Sequence, residues 1–326
     1  MPAAPQRPMT AREWGLLLLL SLLWGGSFLF VGVAVRELPP LTLVASRVAL
    51  AAALLWTLAP VLGVRPPRSV AAAAALLVLG FGNNALPFSL IAWGQTHLPS
   101  GLASILNAAT PLFTVVAAHF LTREETLTRL KLVGTLLGLA GVAALVGPNL
   151  VAGGGVDLWA ELAVLAAALS YALTTIFARR MPKLGMKPLD VAAGQATAAA
   201  LWLAPCALVF DRPWTLPMPG AATIASVLAL ATLSTALAYV VYFRILAGAG
   251  ATNVQLVTLL VPATSVALGA ALLGERLLPR QILGYALIAA GLAFIDGRLP
   301  RALMRRLGRD GGRSADSRLP TRKIIR

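Results

Sequence analysis

The stretch "EWGLLLLLSLLWGGSFLFVGVAV", Glu13–Val35, decides the fold: from Trp14 onward it holds no charged residue and is apolar on every face of a helix. About 20 such residues, rising 1.5 Å each, cross the roughly 30 Å of hydrocarbon in a bilayer. A membrane strand would alternate in character over about ten residues, whereas a helix satisfies its own backbone in lipid, so the stretch reads as a transmembrane helix. Working outward, further apolar blocks end at Arg, Pro or Gly. They place helices at about 13 to 35, 41 to 62, 70 to 93, 100 to 121, 128 to 146, 157 to 178, 189 to 210, 221 to 246, 252 to 273 and 280 to 296. Of the 326 residues 58% are hydrophobic and 12% charged, against about a quarter charged in soluble domains. The expected fold is an all-α integral membrane protein of ten transmembrane helices, and the single cysteine, Cys206, excludes an internal disulfide framework.

The net charge of +15 does not read as nucleic-acid binding, because the basic residues lie between apolar blocks instead of on a soluble face. Ten of the 27 Lys and Arg residues follow Ile295, in a basic tail (297–326) that suits the cytoplasm and anionic lipid. With a cytoplasmic lead (1–12), the inside segments hold 22 basic residues, among them Arg65, Lys131 and Arg179. The outside segments hold Arg36, Arg212, Arg276 and Arg280. This bias makes both termini cytoplasmic; the remaining arginine, Arg47, lies inside a span.

The chain also repeats itself. "ILNAATPLFTVVAAHFLTREE" aligns with "QLVTLLVPATSVALGAALLGER" so that Pro111 falls on Pro262 and Glu124 on Glu275, 151 residues apart. Gly134 falls on Gly284 and Gly141 on Gly291, 150 apart. Pro40 and Arg47 fall on Pro188 and Gln195, and Trp24 on Tyr171. Units 13–148 and 156–296, with five helices each, must lie in opposite orientations, as an inverted repeat with a substrate site at its axis near mid-membrane.

These residues resemble the EamA-type, ten-helix branch of the drug/metabolite transporter superfamily, within it the amino-acid exporters of the YddG kind. The resemblance is carried by Trp24-Gly25-Gly26-Ser27, Arg47 after Pro40, Asn107 with Thr110-Pro111, Glu124, and Gly134, Gly138 and Gly141. It implies a multi-pass carrier of the bacterial plasma (inner) membrane that exports small metabolites, amino acids including aromatic ones, by alternating access. Tyr171 and Gln195 depart from the family pattern.

Arg47 stands about 10 Å into its helix, where a charge costs at least ~2.5 kcal/mol. It reads as a structural arginine, snorkelling or bonded to carbonyls, or as a gating or anion-attracting group. Asn83 and Asn84, with Pro87 after them, read as a kinked cavity wall or as glue between helices. Asn107, Thr110 and Pro111 repeat that pattern, matched by Gln255, Thr258 and Pro262. The substrate-binding candidates are completed by Ser27 and by the aromatic surfaces of Trp24, Phe88, Tyr171, Tyr239 and Tyr242, each of which reads equally as plain packing. Pro87, Pro111 and Pro262, with Arg47, are the expected helix-break and gating positions. Glu124 and Glu275 read as caps that stabilise the return into the following helix.

No Asp or Glu falls at the centre of a span, which favours facilitated exchange or downhill export over proton coupling. A polytopic membrane enzyme would need paired acids, a metal cluster or a nucleophile with its base; His97 and His119 lack metal-ligand spacing, so neither enzyme activity, metal nor cofactor is expected. Within the superfamily the alternative substrates are nucleotide sugars, which would want several cations in the chamber, and drugs or quaternary amines. The expected partners are a small-molecule substrate and the lipid bilayer; the sequence leaves the oligomeric state open, a monomer included.

Overall fold

The computed structural model describes residues 9–122 and 128–297. Regular structure there is helical throughout. Eight described helices are long and apolar enough to cross a membrane by length and composition: α1 (Ala11–Ala34), α2 (Pro40–Thr57), α3 (Val70–Gly94), α4 (Ser100–Leu121), α5 (Arg129–Val151), α6 (Val156–Ala178), α7 (Pro188–Asp211) and α8 (Ala221–Ala249). The shorter α9 (Val257–Leu273) and α10 (Pro279–Asp296) follow. Every segment read from the sequence is thus helical, but eight of them, not ten, meet the requirement of a span. The expectations placed on residues 1–8 of the lead, on Glu124 and on the tail beyond Gly297 lie outside the described residues.

Helix starts follow local chemistry. Thr10 and Glu13 form a reciprocal capping box on α1, and Ser69 and Thr128 cap α3 and α5 through their hydroxyls. Pro40, Pro188 and Pro279 occupy first-turn positions, where a missing N–H is harmless.

The proline kinks expected at Pro87 and Pro262 are not breaks. α3 runs on through Pro87 because the preceding turn, Phe81–Ala85, widens into a π-helix that accommodates the ring. The Gly82 carbonyl left without its helical donor accepts instead from the Ser170 hydroxyl of α6, at 2.6 Å. Pro262 lies inside continuous α9; the interruption falls earlier, between the short helix Ala251–Val254 and Val257. At Pro111 the helix is broken, into Ser100–Asn107 and Thr110–Leu121, and the Thr110 hydroxyl satisfies the released Asn107 carbonyl at 2.8 Å. Two further π segments among the described residues end α7, at Ala207–Asp211, and interrupt α8, at Thr232–Leu237.

One end of the bundle, where α1 terminates, is tied across by carboxylates seated on helix N-termini. Glu37, after α1, accepts from the Gly220 amide before α8; Asp211 of α7 accepts from the amide and hydroxyl of Thr42 in α2. Glu275, after α9, accepts from the Ser100 amide and hydroxyl and the Gly101 amide of α4. Glu275 therefore caps α4, not the return into α10: the turn at Gly274 carries it across to an unsatisfied helix start nearby. We call this end distal and the opposite one, where α1 begins, proximal.

α5 and α10 cross in close contact through glycines. A Cβ on Gly141 would come within 2.7 Å of the Gly284 carbonyl oxygen, and one on Gly134 within 2.5 Å of the Gly291 carbonyl. These are the glycines that the sequence pairs at a spacing of 150, meeting reciprocally, as residues do across a two-fold axis. Gly141→Val is expected to separate the two backbones and destabilise the protein by about 1–3 kcal/mol. Gly147→Ala on the same helix, with open space around it, is expected to be neutral; thermal unfolding in detergent compares the two.

Candidate functional site

A cavity of about 580 Å³ runs from the middle of the bundle to its proximal end. At the proximal end it is lined by the exposed Arg179, which marks its mouth, and by Met181, Met186 and Leu246, while the distal ties lie across the other side. Side chains from both halves of the chain meet there because α1, α3 and α4 converge with α6, α8 and α9.

Most of the sequence-derived candidates lie on its wall: Trp24 and Ser27 of α1, Asn83 and Phe88 of α3, Asn107 and Thr110 of α4. From the second half come Tyr171, Tyr239 and Tyr242, with Gln255, Thr258 and Pro262. The rings associate: Trp24 lies 5.6 Å from Tyr242, and Phe88 meets Tyr171 edge-on at 6.4 Å. Asn84 is a correction. One residue on from Asn83, it turns away from the cavity, is wholly buried, and donates to the Tyr239 hydroxyl at 3.2 Å, so it supports the wall from behind. Pro87 and Pro111 are likewise absent from the lining.

Arg47 is on the wall, 7% exposed, and neither snorkels nor bonds a carbonyl. Its Nε donates to the Thr235 hydroxyl at 3.0 Å, and its guanidinium lies 3.8 Å over the Phe88 ring, an arrangement that stabilises a desolvated cation. Thr235 is free to accept because its own proton goes to the Leu230 carbonyl, in the π segment of α8. At the corresponding position in α7, Gln195 accepts from Asn83 in the π segment of α3, at 3.2 Å. Each half thus presents a polar group from its second helix to the widened turn of the other half, one charged and one neutral.

Sequence reading missed Gln95, Ser104, Thr174, Thr175 and Ser234 on the wall. Gln95 closes the distal end of α3, 6% exposed; neither of its amide atoms, nor the side-chain Oδ1 of Asn107, nor the Ser234 hydroxyl finds a partner among the described residues. Buried polar atoms without partners are rare and point to a ligand or water. Only proximity to other helices distinguishes these residues from ordinary polar positions, so the sequence carried no signal for them.

A helical membrane bundle enclosing an amphipathic cavity, sealed at one end, defines a transporter. The chain matches the EamA-like transporter family over residues 13–147 and again over 158–296, and it belongs to that family: it is a multi-pass membrane transporter and not an enzyme. It is similar to the "Probable amino-acid metabolite efflux pump" of Salmonella typhimurium, 30% identical over 87% of this chain and 94% of the relative. The Escherichia coli protein of the same description is also 30% identical, with the same coverage. A "Probable terminal-alkyne amino-acid exporter" of Streptantibioticus cattleyicolor is 29% identical over 87% of this chain and 93% of its own. A solved structure described only as "Crystal structure of protein" shares the fold, with a TM-score of 0.63 and 23% identity over 92% of this chain and 99% of that one.

Tyr239→Phe is expected to leave the buried Asn84 amide without a partner and to cost about 1–3 kcal/mol. Tyr242→Phe, which removes a hydroxyl that makes no hydrogen bond among the described residues, is expected to cost less than about 0.5 kcal/mol. Thermal unfolding of both variants checks the difference.

Proposed function

We propose that the protein exports small metabolites, amino acids including aromatic ones foremost, across the bacterial plasma membrane by alternating access around this cavity. The observation that carries the reading is the cavity itself: an aromatic and amide-lined chamber contributed by both halves, reached from the proximal end and sealed at the distal one. The relatives named for amino-acid efflux support the substrate class.

In this reading α9 and α10 also span, giving ten spans in two inverted units, 13–148 and 156–296. Three features support it: the two separate family matches, the reciprocal glycine contacts of α5 and α10, and the π segments 151 residues apart at Asn84 and Thr235. Both termini are cytoplasmic by the basic bias, which makes the proximal end the cytoplasmic one and the structure inward-open. Substrate enters from the cytoplasm, the halves rock about the α5–α10 crossing, and the distal carboxylate ties part. Asn83, Asn107, Ser27, Thr110, Gln255 and Thr258 offer neutral hydrogen bonds, and Trp24, Phe88 and the tyrosines offer apolar faces that tolerate varied side chains.

Counterflow of labelled L-phenylalanine into proteoliposomes tests this. Wild-type protein is expected to exchange it, and Asn107→Ala to slow exchange roughly tenfold through loss of one hydrogen bond to the substrate. Leu150→Ala, at an exposed position, is expected to match wild type. Absence of exchange with L-phenylalanine and with other labelled amino acids would contradict the proposal.

A further inference from the structure

We propose that Arg47 is the specificity-determining residue of the cavity: it binds the carboxylate of the substrate, and the substrate's amino group is dispensable. The inference rests on the transport reading above for its site but concerns which end of the molecule is recognised.

The charge inventory of the wall is one-sided. Its cations are Arg47 in the interior and Arg179 at the mouth, and among the described residues no Asp or Glu lines the cavity. Among the described residues Arg47 is buried with no carboxylate beside it: the titratable side chains that face it are Tyr171 and Tyr239, and its one hydrogen bond there, to Thr235, uses Nε alone. A guanidinium has five N–H donors in a planar fork. With Nε held and the plane fixed by Phe88, the two terminal nitrogens are left in the geometry that grips a carboxylate in a bidentate pair. The arrangement is preorganised, because Thr235 and the Phe88 ring hold the side chain before ligand arrives.

An ammonium group finds nothing equivalent. Its available acceptors are neutral oxygens, chiefly the unpartnered Asn107 Oδ1 and Gln95 Oε1, and the aromatic faces. These hold a cation weakly, and a lone amine entering the cavity adds a second positive charge to that of Arg47 in a poorly solvated space. A carboxylate neutralises it. An organic monocarboxylate with an apolar or aromatic body therefore satisfies the site with or without an amino group, whereas an amine lacking the carboxylate does not. Gln195, the neutral counterpart of Arg47, is occupied by Asn83, so the second half offers no duplicate of this grip.

Isothermal titration calorimetry on the full-length protein in detergent at neutral pH, with L-phenylalanine, 3-phenylpropionate and phenethylamine, separates the groups without depending on transport. The expected result is that 3-phenylpropionate binds within about tenfold of L-phenylalanine and phenethylamine at least ~30-fold more weakly. Arg47→Gln is expected to abolish the preference for the acid over the amine, and Arg47→Lys, which keeps the charge, to retain part of it. Equal or tighter binding of phenethylamine, no binding of the acid, or an unchanged preference in Arg47→Gln would overturn the proposal. Binding of the acid with no amino-acid flux would uphold it while refuting amino-acid export, so the two failures are distinguishable.

Discussion

In hydrocarbon a polar group must find its partner inside the protein, and this constraint shapes the whole bundle. At two departures from regular α-helix a hydroxyl receives the displaced carbonyl: Ser170 of α6 takes that of Gly82, and Thr110, three residues on at the same break, takes that of Asn107. Two polar pairs in mid-bundle join α2 or α7 to a widened turn of the opposite half, Arg47 with Thr235 and Asn83 with Gln195. Among the described residues, Gln95, Asn107 and Ser234 keep unpartnered polar atoms on the cavity wall itself, where a bound molecule or water is their remaining recourse.

The same constraint divides labour among the helices. Glycines bring α5 and α10 into backbone contact away from the chamber, which suits a pivot, since close backbone contact in lipid needs no polar bond. α1, α3, α4, α6, α8 and α9 surround the cavity, Arg47 of α2 and Gln195 of α7 complete its wall, and interruptions lie beside it: π turns in α3 and α8 and a broken turn in α4. The distal closure consists of three carboxylates on helix N-termini, each joining elements from the two halves of the chain.

The helices were legible in the sequence because lipid demands long apolar runs whatever they pack against, and the aromatic and amide candidates were legible because such residues are conspicuous within those runs. What the sequence could not carry was direction around a helix. Asn83 and Asn84 are equally polar, yet about 100° of helical rotation sends one to the cavity and the other to Tyr239 behind it. Proline misled in a related way: Pro87 implied a kink, but a five-residue widening of the turn before it absorbed the ring. Gln95 was invisible because it reads as a loop residue after α3 and becomes buried only when α1 packs over it. Glu275 was read as a local cap, and its true partner, Ser100, lies 175 residues away in the chain.

The central claim is that the distal closure opens in exchange with the proximal mouth. Spin labels at Arg36 and Met218, exposed residues flanking the Glu37–Gly220 tie, in a Cys206→Ser background, report it by double electron–electron resonance in nanodiscs. The account predicts two distance populations, a short one matching this structure and a longer one, with saturating substrate changing their ratio. A single short distance, unchanged by any substrate that the protein demonstrably moves, would contradict it.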